Sequence, residues 1–466
     1  MDSSNEKLLR EYDVKKLLIK LSIPAFLGMA VNALYNFVDT LFVAIGVNEI
    51  AIGGLALAFP IQTIVMAVGL MMGLGSASVF SRAFGRKDYD KMSSAVNTGL
   101  RINGLIAAIF TLLSFLFIDE LLIFFGATAE NMMYAKDYLI IILIGLIPQS
   151  FSMVLNNLTR AEGRSKAAMY SLIIAAGVNI VLDPIFIFGF DMGVKGAAIA
   201  TVIAQFIGLI YIFFVSIGPT SYLKINLKRW FEVDKETVKD ILVIGFPTFL
   251  RNALGAFLAI VIYRLINHYG GDEPAIYISI YGVINRIINF VFLPSFGIVQ
   301  GMVPIVGFSY GAKQYDRMRE TIKFATKIII IYFIVGFFFI LFSATGLFRI
   351  FSESNDVLFI EYGAYAFRII AIGFLLVGFQ IVVSAIFQAL GFPIRAMIIT
   401  ISRQILFFIP LVFILTAVLG DMLGIWIAFA GADVLSGLMS LVLLLVEMKN
   451  IKQLNIEQTA LQFDIA

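Results

Sequence analysis

Asp39 and Asp183 each sit inside a long apolar stretch of a 466-residue chain. Bringing a carboxylate to the middle of a bilayer costs roughly 2.5–3.5 kcal/mol. The polar residues around them recur at helical spacing. Asn32, Tyr35, Asn36 and Asp39 fall one turn apart on one face of the first stretch, and Asn179 and Asp183 fall one turn apart in another. At about 1.5 Å per residue, Asp39 lies ~12 Å from the end of its stretch near Val47, Asp183 ~10 Å from the end at Phe190, and Thr201 ~12 Å in from Gly193. The three depths agree. Two carboxylates, an amide oxygen and a hydroxyl form an oxygen-only donor set, which suits a hard cation such as Na⁺. The same pair of acids can instead share a proton, because close like charges raise one carboxylate's affinity for H⁺. The competing reading is that the acids only hydrogen-bond neighbouring helices. Pro184 removes a backbone donor and frees a carbonyl near Asn179–Ile180, and interrupted helices at membrane depth mark binding sites.

The stretches that carry these residues read as membrane spans. The chain is 60% hydrophobic and 14% charged, against about 45–50% and about 25% for soluble domains. Twelve apolar segments lie near 19–44, 53–80, 95–118, 134–156, 167–188, 194–217, 238–265, 277–302, 322–345, 360–384, 394–416 and 422–446. Their connections alternate in charge. Arg82, Arg86, Lys87 and Lys91, then Arg160, Arg164 and Lys166, then Lys313, Arg317 and Arg319 mark one side. Glu49, Asp119, Glu120, Asp191 and Asp421 mark the other, with Lys195 and Arg349 as exceptions. The excess of positive charge on cytoplasmic loops then places both termini in the cytoplasm. The charged run before the first span reads as retained rather than as a cleaved signal. With no cysteine there is no disulfide framework and no thiolate metal site. The net charge of +3 is small and spread out, so nucleic acid is not implied. The single His268 lies in a polar stretch and reads as a loop residue.

The chain also repeats itself. Ile23-Pro24-Ala25-Phe26-Leu27 returns as Phe246-Pro247-Thr248-Phe249-Leu250. Ser81-Arg82-Ala83-Phe84-Gly85 returns as Gly307-Phe308-Ser309-Tyr310-Gly311, and Thr159 to Gly163 returns as Phe387 to Gly391. The offset is nearly constant. The fold class is therefore an all-α integral membrane protein with twelve transmembrane helices in two pseudo-symmetric six-helix bundles. Residues 1–230 form the first lobe and 231–466 the second, related by a pseudo-two-fold axis along the membrane normal with a cavity at their junction. The second copy has no acid where Asp39 and Asp183 stand in the first.

These features together resemble the multidrug and toxic compound extrusion (MATE) family over nearly the whole chain. The residues that carry the resemblance are Pro24, Asn36-Phe37-Val38-Asp39-Thr40, the Gly85 loop, Arg160-Ala161-Glu162-Gly163-Arg164, Asn179 to Pro184, and Gly193 to Ala198 with Thr201. NorM-like members carry functional acids in spans 7 and 10, where this chain has Asn252 to Ala256 and an acid-free run from Phe367 to Ala385. The departure resembles the DinF-like branch, whose ion-binding positions are held here by Asp39, Asn179, Asp183 and Thr201. What the resemblance implies is a secondary antiporter in a prokaryotic plasma membrane. It would exchange inward Na⁺ or H⁺ for an organic, often cationic, substrate by alternating access, as a monomer among membrane lipids with no cofactor beyond the coupling ion. A lipid-linked saccharide flippase of the wider superfamily is the alternative, which fourteen spans and a strongly cationic cavity would favour.

Other polar residues stand outside that set. Asn32, Tyr35, Asn36 and Asn156 are candidates to line a substrate cavity, and Pro24 is a candidate bend ahead of Asp39. Arg403 and Asp433 fall near the membrane midplane and read as a structural salt bridge, with a role in coupling or substrate binding as the alternative. Arg286, beside Asn285 and Asn289, reads as a cavity-lining or pairing arginine. Neither a phosphate-binding loop nor a nucleophile motif is present, so nucleotide-driven transport and enzymatic chemistry are not expected.

Overall fold

The computed structural model describes residues 4–47, 49–128, 131–226, 234–271, 273–352 and 356–463, which form helices and short connections with no strand among them. The amphipathic helix α1 (Ser4–Glu11) precedes α2 (Val14–Gly46), α3 (Glu49–Arg86), α4 (Tyr89–Leu116), the short α5 (Ile118–Phe124), α6 (Met132–Ala161), α7 (Ser165–Pro184) and α8 (Gly193–Ile217). The second half holds α9 (Lys235–Tyr269), α10 (Pro274–Gly311), α11 (Tyr315–Phe351), α12 (Val357–Ala371), α13 (Phe374–Leu390), α14 (Pro393–Ile401), α15 (Ile409–Leu419) and α16 (Leu423–Phe463). Eleven spans are long and apolar enough to cross a membrane, with α14 and α15 counted as one, and the bent pair α12–α13 makes a twelfth.

The helices overrun the apolar tracts. Several start on an aspartate whose carboxylate caps the first turn, as Asp13 does for Lys16 N at 2.9 Å and Asp88 for Lys91 N at 3.0 Å. Because α9 extends to Tyr269, His268 lies in its last turn and not in a loop. The tenth span departs from the single helix its apolar run suggests. It breaks by 50° between α12 and α13, at Ile372-Gly373 and without a proline. Asp433 packs there, and a Cβ on Gly373 would come within 2.8 Å of its carboxylate. The fifth span does the reverse. The helix does not stop at Pro184 but continues as a π-helical turn, Ile185–Gly189. A second π-helical turn, Ser402–Phe408, lies just ahead of Pro410 in the eleventh span. Each π-helical turn lies beside a proline, Pro184 in one lobe and Pro410 in the other, whereas Pro24 sits inside an uninterrupted α-helix.

The repeat is written into the backbone. Lys87 and Lys313 both take a left-handed conformation, with φ of 60° and 57°. Asp88 N bonds Ala83 O at 3.0 Å, and Gln314 N bonds Ser309 O at 2.8 Å. At the second conserved turn Gly163 and Gly391 have φ of 88° and 80°, where an L side chain would be strained. Arg164 N then returns to Thr159 O and Phe392 N to Phe387 O.

The two halves meet through α2 on α10 and α3 on α9, pairings that the repeat exchanges. They touch most closely at one end. A Cβ on Gly75 would lie 2.1 Å from Ile241 O, and one on Gly245 would lie 2.0 Å from Met71 O. Gly85 and Gly311 are equally crowded, against Phe308 O and Arg82 O. Farther along the same helices Gly255 and Gly282 have nothing within 4 Å. The halves are therefore zipped at the end bearing the basic loops. The expected lobe boundary between residues 230 and 231 lies outside the described residues. The connection that leads to it is held by the first half: Asn97 donates to Lys224 O at 2.9 Å and accepts from Asn226 N at 2.8 Å. Glu162, buried and with its carboxyl pushed up by that burial, accepts from Tyr222 N and Ser221 Oγ and pairs with Arg164.

Candidate functional site

Three elements of the first half deliver polar groups to one place. Helix α2 supplies Asp39, α7 supplies Asn179 and Asp183 one turn apart, and α8 supplies Thr201; all four are buried. Asn179 Nδ2 donates to Asp183 Oδ1 at 3.0 Å and to Thr201 Oγ1 at 3.3 Å. The carboxyl groups of Asp39 and Asp183 meet side chain to side chain. Helix α6 closes the site with Tyr138, whose hydroxyl bonds Gln62 of α3. Tyr35, one turn before Asp39, lies within electrostatic reach of both acids.

The charge in this site is not neutralised by protein. Among the described residues neither aspartate has a lysine or arginine partner. Three buried oxygens, Asp39 Oδ1, Asn179 Oδ1 and Asp183 Oδ2, have no hydrogen-bond donor. Two ionised carboxylates accept and cannot donate, so contact between them requires a bridging proton or cation. Buried acceptors left unmade cost about 1–3 kcal/mol each, which a bound cation would offset. The donor set is all oxygen, as a hard cation requires. No group of three or more acidic, histidine or cysteine side chains forms a transition-metal site among the described residues.

Of the residues singled out in the sequence, Asp39, Asn179, Asp183 and Thr201 converge and Tyr35 lies beside them. Asn32 is about two turns below Asp39, or ~10 Å, and Asn36 is exposed and donates to Asn32 O at 2.8 Å. Asn156 is elsewhere, ~27 Å along α6 from Tyr138. Its amide donates to Ser152 O and accepts from Ser171 Oγ, tying α6 to α7. Helix α2 runs unbroken through Pro24. Tyr138 and Gln62 were not among the sequence candidates, although the same depth count that aligns Asp39 with Asp183 would have found both.

In the second half Arg403 Nε donates to Asp433 Oδ1, the pair that the spacing suggests. Arg286 is exposed and pairs with no acid among the described residues.

The chain is similar to known proteins over most of its length. The profile described as MatE matches residues 24–185 and 247–414. The chain is 27% identical over 417 residues to the multidrug export protein MepA of Staphylococcus aureus (strain MSSA476), covering 89% of this chain and 90% of the relative. It is 28% identical over 420 residues to MepA of Staphylococcus haemolyticus (strain JCSC1435), with the same coverage. A multidrug resistance MATE family transporter of the MOP superfamily, solved in an outward-facing conformation, superposes with a TM-score of 0.89 at 25% identity, over 97% of this chain and 99% of the other.

Proposed function

The chain belongs to the MatE family, and from that premise we propose that it exports organic compounds across a prokaryotic plasma membrane in exchange for inward Na⁺ or H⁺. The observation that carries the reading is the contact of Asp39 with Asp183 beside three buried oxygens that lack donors. The kinship to multidrug exporters supports the direction and the breadth of cargo.

The ion enters from outside and settles between Asp39 and Asp183, with Asn179 and Thr201 completing the shell. One inward elementary charge contributes about 2.3 kcal/mol per 100 mV of membrane potential. Neutralising the acids removes their repulsion, so α2 and α7 prefer a different packing when the ion is bound. A ligand shifts a conformational balance only through such a difference in affinity. The lobes 1–230 and 231–466 then rock about the α2–α10 and α3–α9 contacts. With the basic loops in the cytoplasm, the zipped end is the inner one and the shape described above faces outward. Export of a fluorescent cationic dye from liposomes, with Na⁺ and pH gradients imposed separately, tests the coupling and identifies the ion. Export that proceeds equally without either gradient overturns the mechanism.

A further inference from the structure

The second half holds a charged centre in the middle of the membrane that ion coupling leaves unused. Arg403 sits on the π-helical turn Ser402–Phe408 and spends its Nε on Asp433. Its side chain stays 31% accessible, while that of Asp433 is 5% accessible. Arg251 of α9 lies alongside. Gln404 Nε2 donates to Arg251 O at 3.4 Å, and the two guanidinium groups are near enough for their charges to act on one another. Arg251 stands over the Phe296 ring at 5.6 Å. Tyr281 of α10 lies within electrostatic reach of Arg403.

The local sum is two cations and one acid. No carboxylate pairs with Arg251 among the described residues. One turn beyond it, the position of Gly255 opens on space with nothing within 4 Å. A guanidinium without an acidic partner at membrane depth is costly and marks a site by default. A second guanidinium beside it adds repulsion that only an anion relieves. Arginine presents a planar fork that matches an oxyanion, and the Phe296 face beside it suits an apolar body. We propose that Arg251 and Arg403 form a recognition site for the carboxylate of an organic substrate. The cargo then includes zwitterionic and anionic amphiphiles, not cations alone; this rests on the exporter reading above.

Two dyes that differ in one group test the assignment: rhodamine B, with a free carboxylate, and its ethyl ester. Dissociation constants are measured by fluorescence anisotropy on the full chain in phosphatidylcholine nanodiscs. R251Q is expected to shift the ratio of the two constants by at least about tenfold toward the ester, equivalent to about 1.4 kcal/mol. R251K keeps the charge without the fork and gives an intermediate ratio. Because R403Q alone strands a buried acid, R403Q/D433N is used for the second arginine, with a shift in the same direction expected. A ratio unchanged in R251Q and in R403Q/D433N overturns the site. Loss of rhodamine B binding when phosphatidylglycerol is added to the nanodiscs makes the occupant a lipid phosphate and overturns the substrate assignment. Gradient-driven export of the ester dye from liposomes reads the exporter function by itself, so failure of that function and failure of the anion site give different results.

Discussion

The carboxyl groups of Asp39 and Asp183 touch, although they come from α2 and α7 and, among the described residues, neither has a basic partner. Contact of this kind between two acceptors stores a demand for positive charge inside the first lobe. Among the described residues no lysine or arginine meets that demand.

Replacing one member with its neutral isostere removes the demand. D39N and D183N are each expected to reach the membrane in normal amount and to lose gradient-driven export down to the level of empty liposomes. Purified yield and dye flux are the measurements. Full export by D39N would end the mechanism.

Thr201 contributes a hydroxyl and little else, so T201V keeps the shape and deletes one oxygen. A hydrogen-bond-scale loss of about 1–1.4 kcal/mol corresponds to roughly tenfold weaker apparent affinity for the coupling ion. The half-saturating ion concentration for export should rise by that factor while flux at saturating ion is retained. An unchanged half-saturation would remove Thr201 from the shell.

The zipped end has no room for a side chain at Gly245, where even a Cβ would meet Met71 O at 2.0 Å. G245V should therefore hold that end open. The chain contains no cysteine, so a single reporter works against a clean background. Ser78 is 1% exposed and donates across the interface to Gln388 O at 2.6 Å. A cysteine placed there should react slowly with a membrane-impermeant maleimide in the parent chain and at least several-fold faster in G245V. Equal rates in both would mean that the contact is not what seals the end.

Breaking the Arg403–Asp433 pair from one side strands a buried charge, which costs about 3–5 kcal/mol, whereas replacing both partners is often neutral. R403M should thus lower the thermal unfolding midpoint in detergent by several degrees, and R403M/D433M should recover most of the loss. Additive losses in the double variant would show that the two side chains do not act as a pair.

Much of the site was readable from depth along helices. Asp39, Asp183 and Thr201 fall level because a straight helix converts sequence distance into height, and the structure puts Asn179 between Asp183 and Thr201. The repeat was readable for a similar reason, since the turns at Lys87 and Lys313 and at Gly163 and Gly391 need the same short-range geometry. Lateral neighbours were harder. Tyr138 and Gln62 carry no charge of their own, and only their height marks them. Arg251 was hidden beside Asn252, although a basic residue at the centre of the apolar run 238–265 is itself a signal. The break at Gly373 gave no warning, because no local proline marks it and Asp433 packs there from the distant α16. Pro184, which does announce itself, ended as a π-helical turn within a continuing span.

The matched turns of the two halves have a consequence for how such a chain can change. One scaffold is present twice, yet the acids stand in one copy and the arginines Arg251 and Arg403 in the other. If the two proposed sites hold, the power stroke and the choice of cargo fall to separate genetic targets. Substitutions in α9 to α16 would then alter what is carried while leaving the acids of the first half untouched.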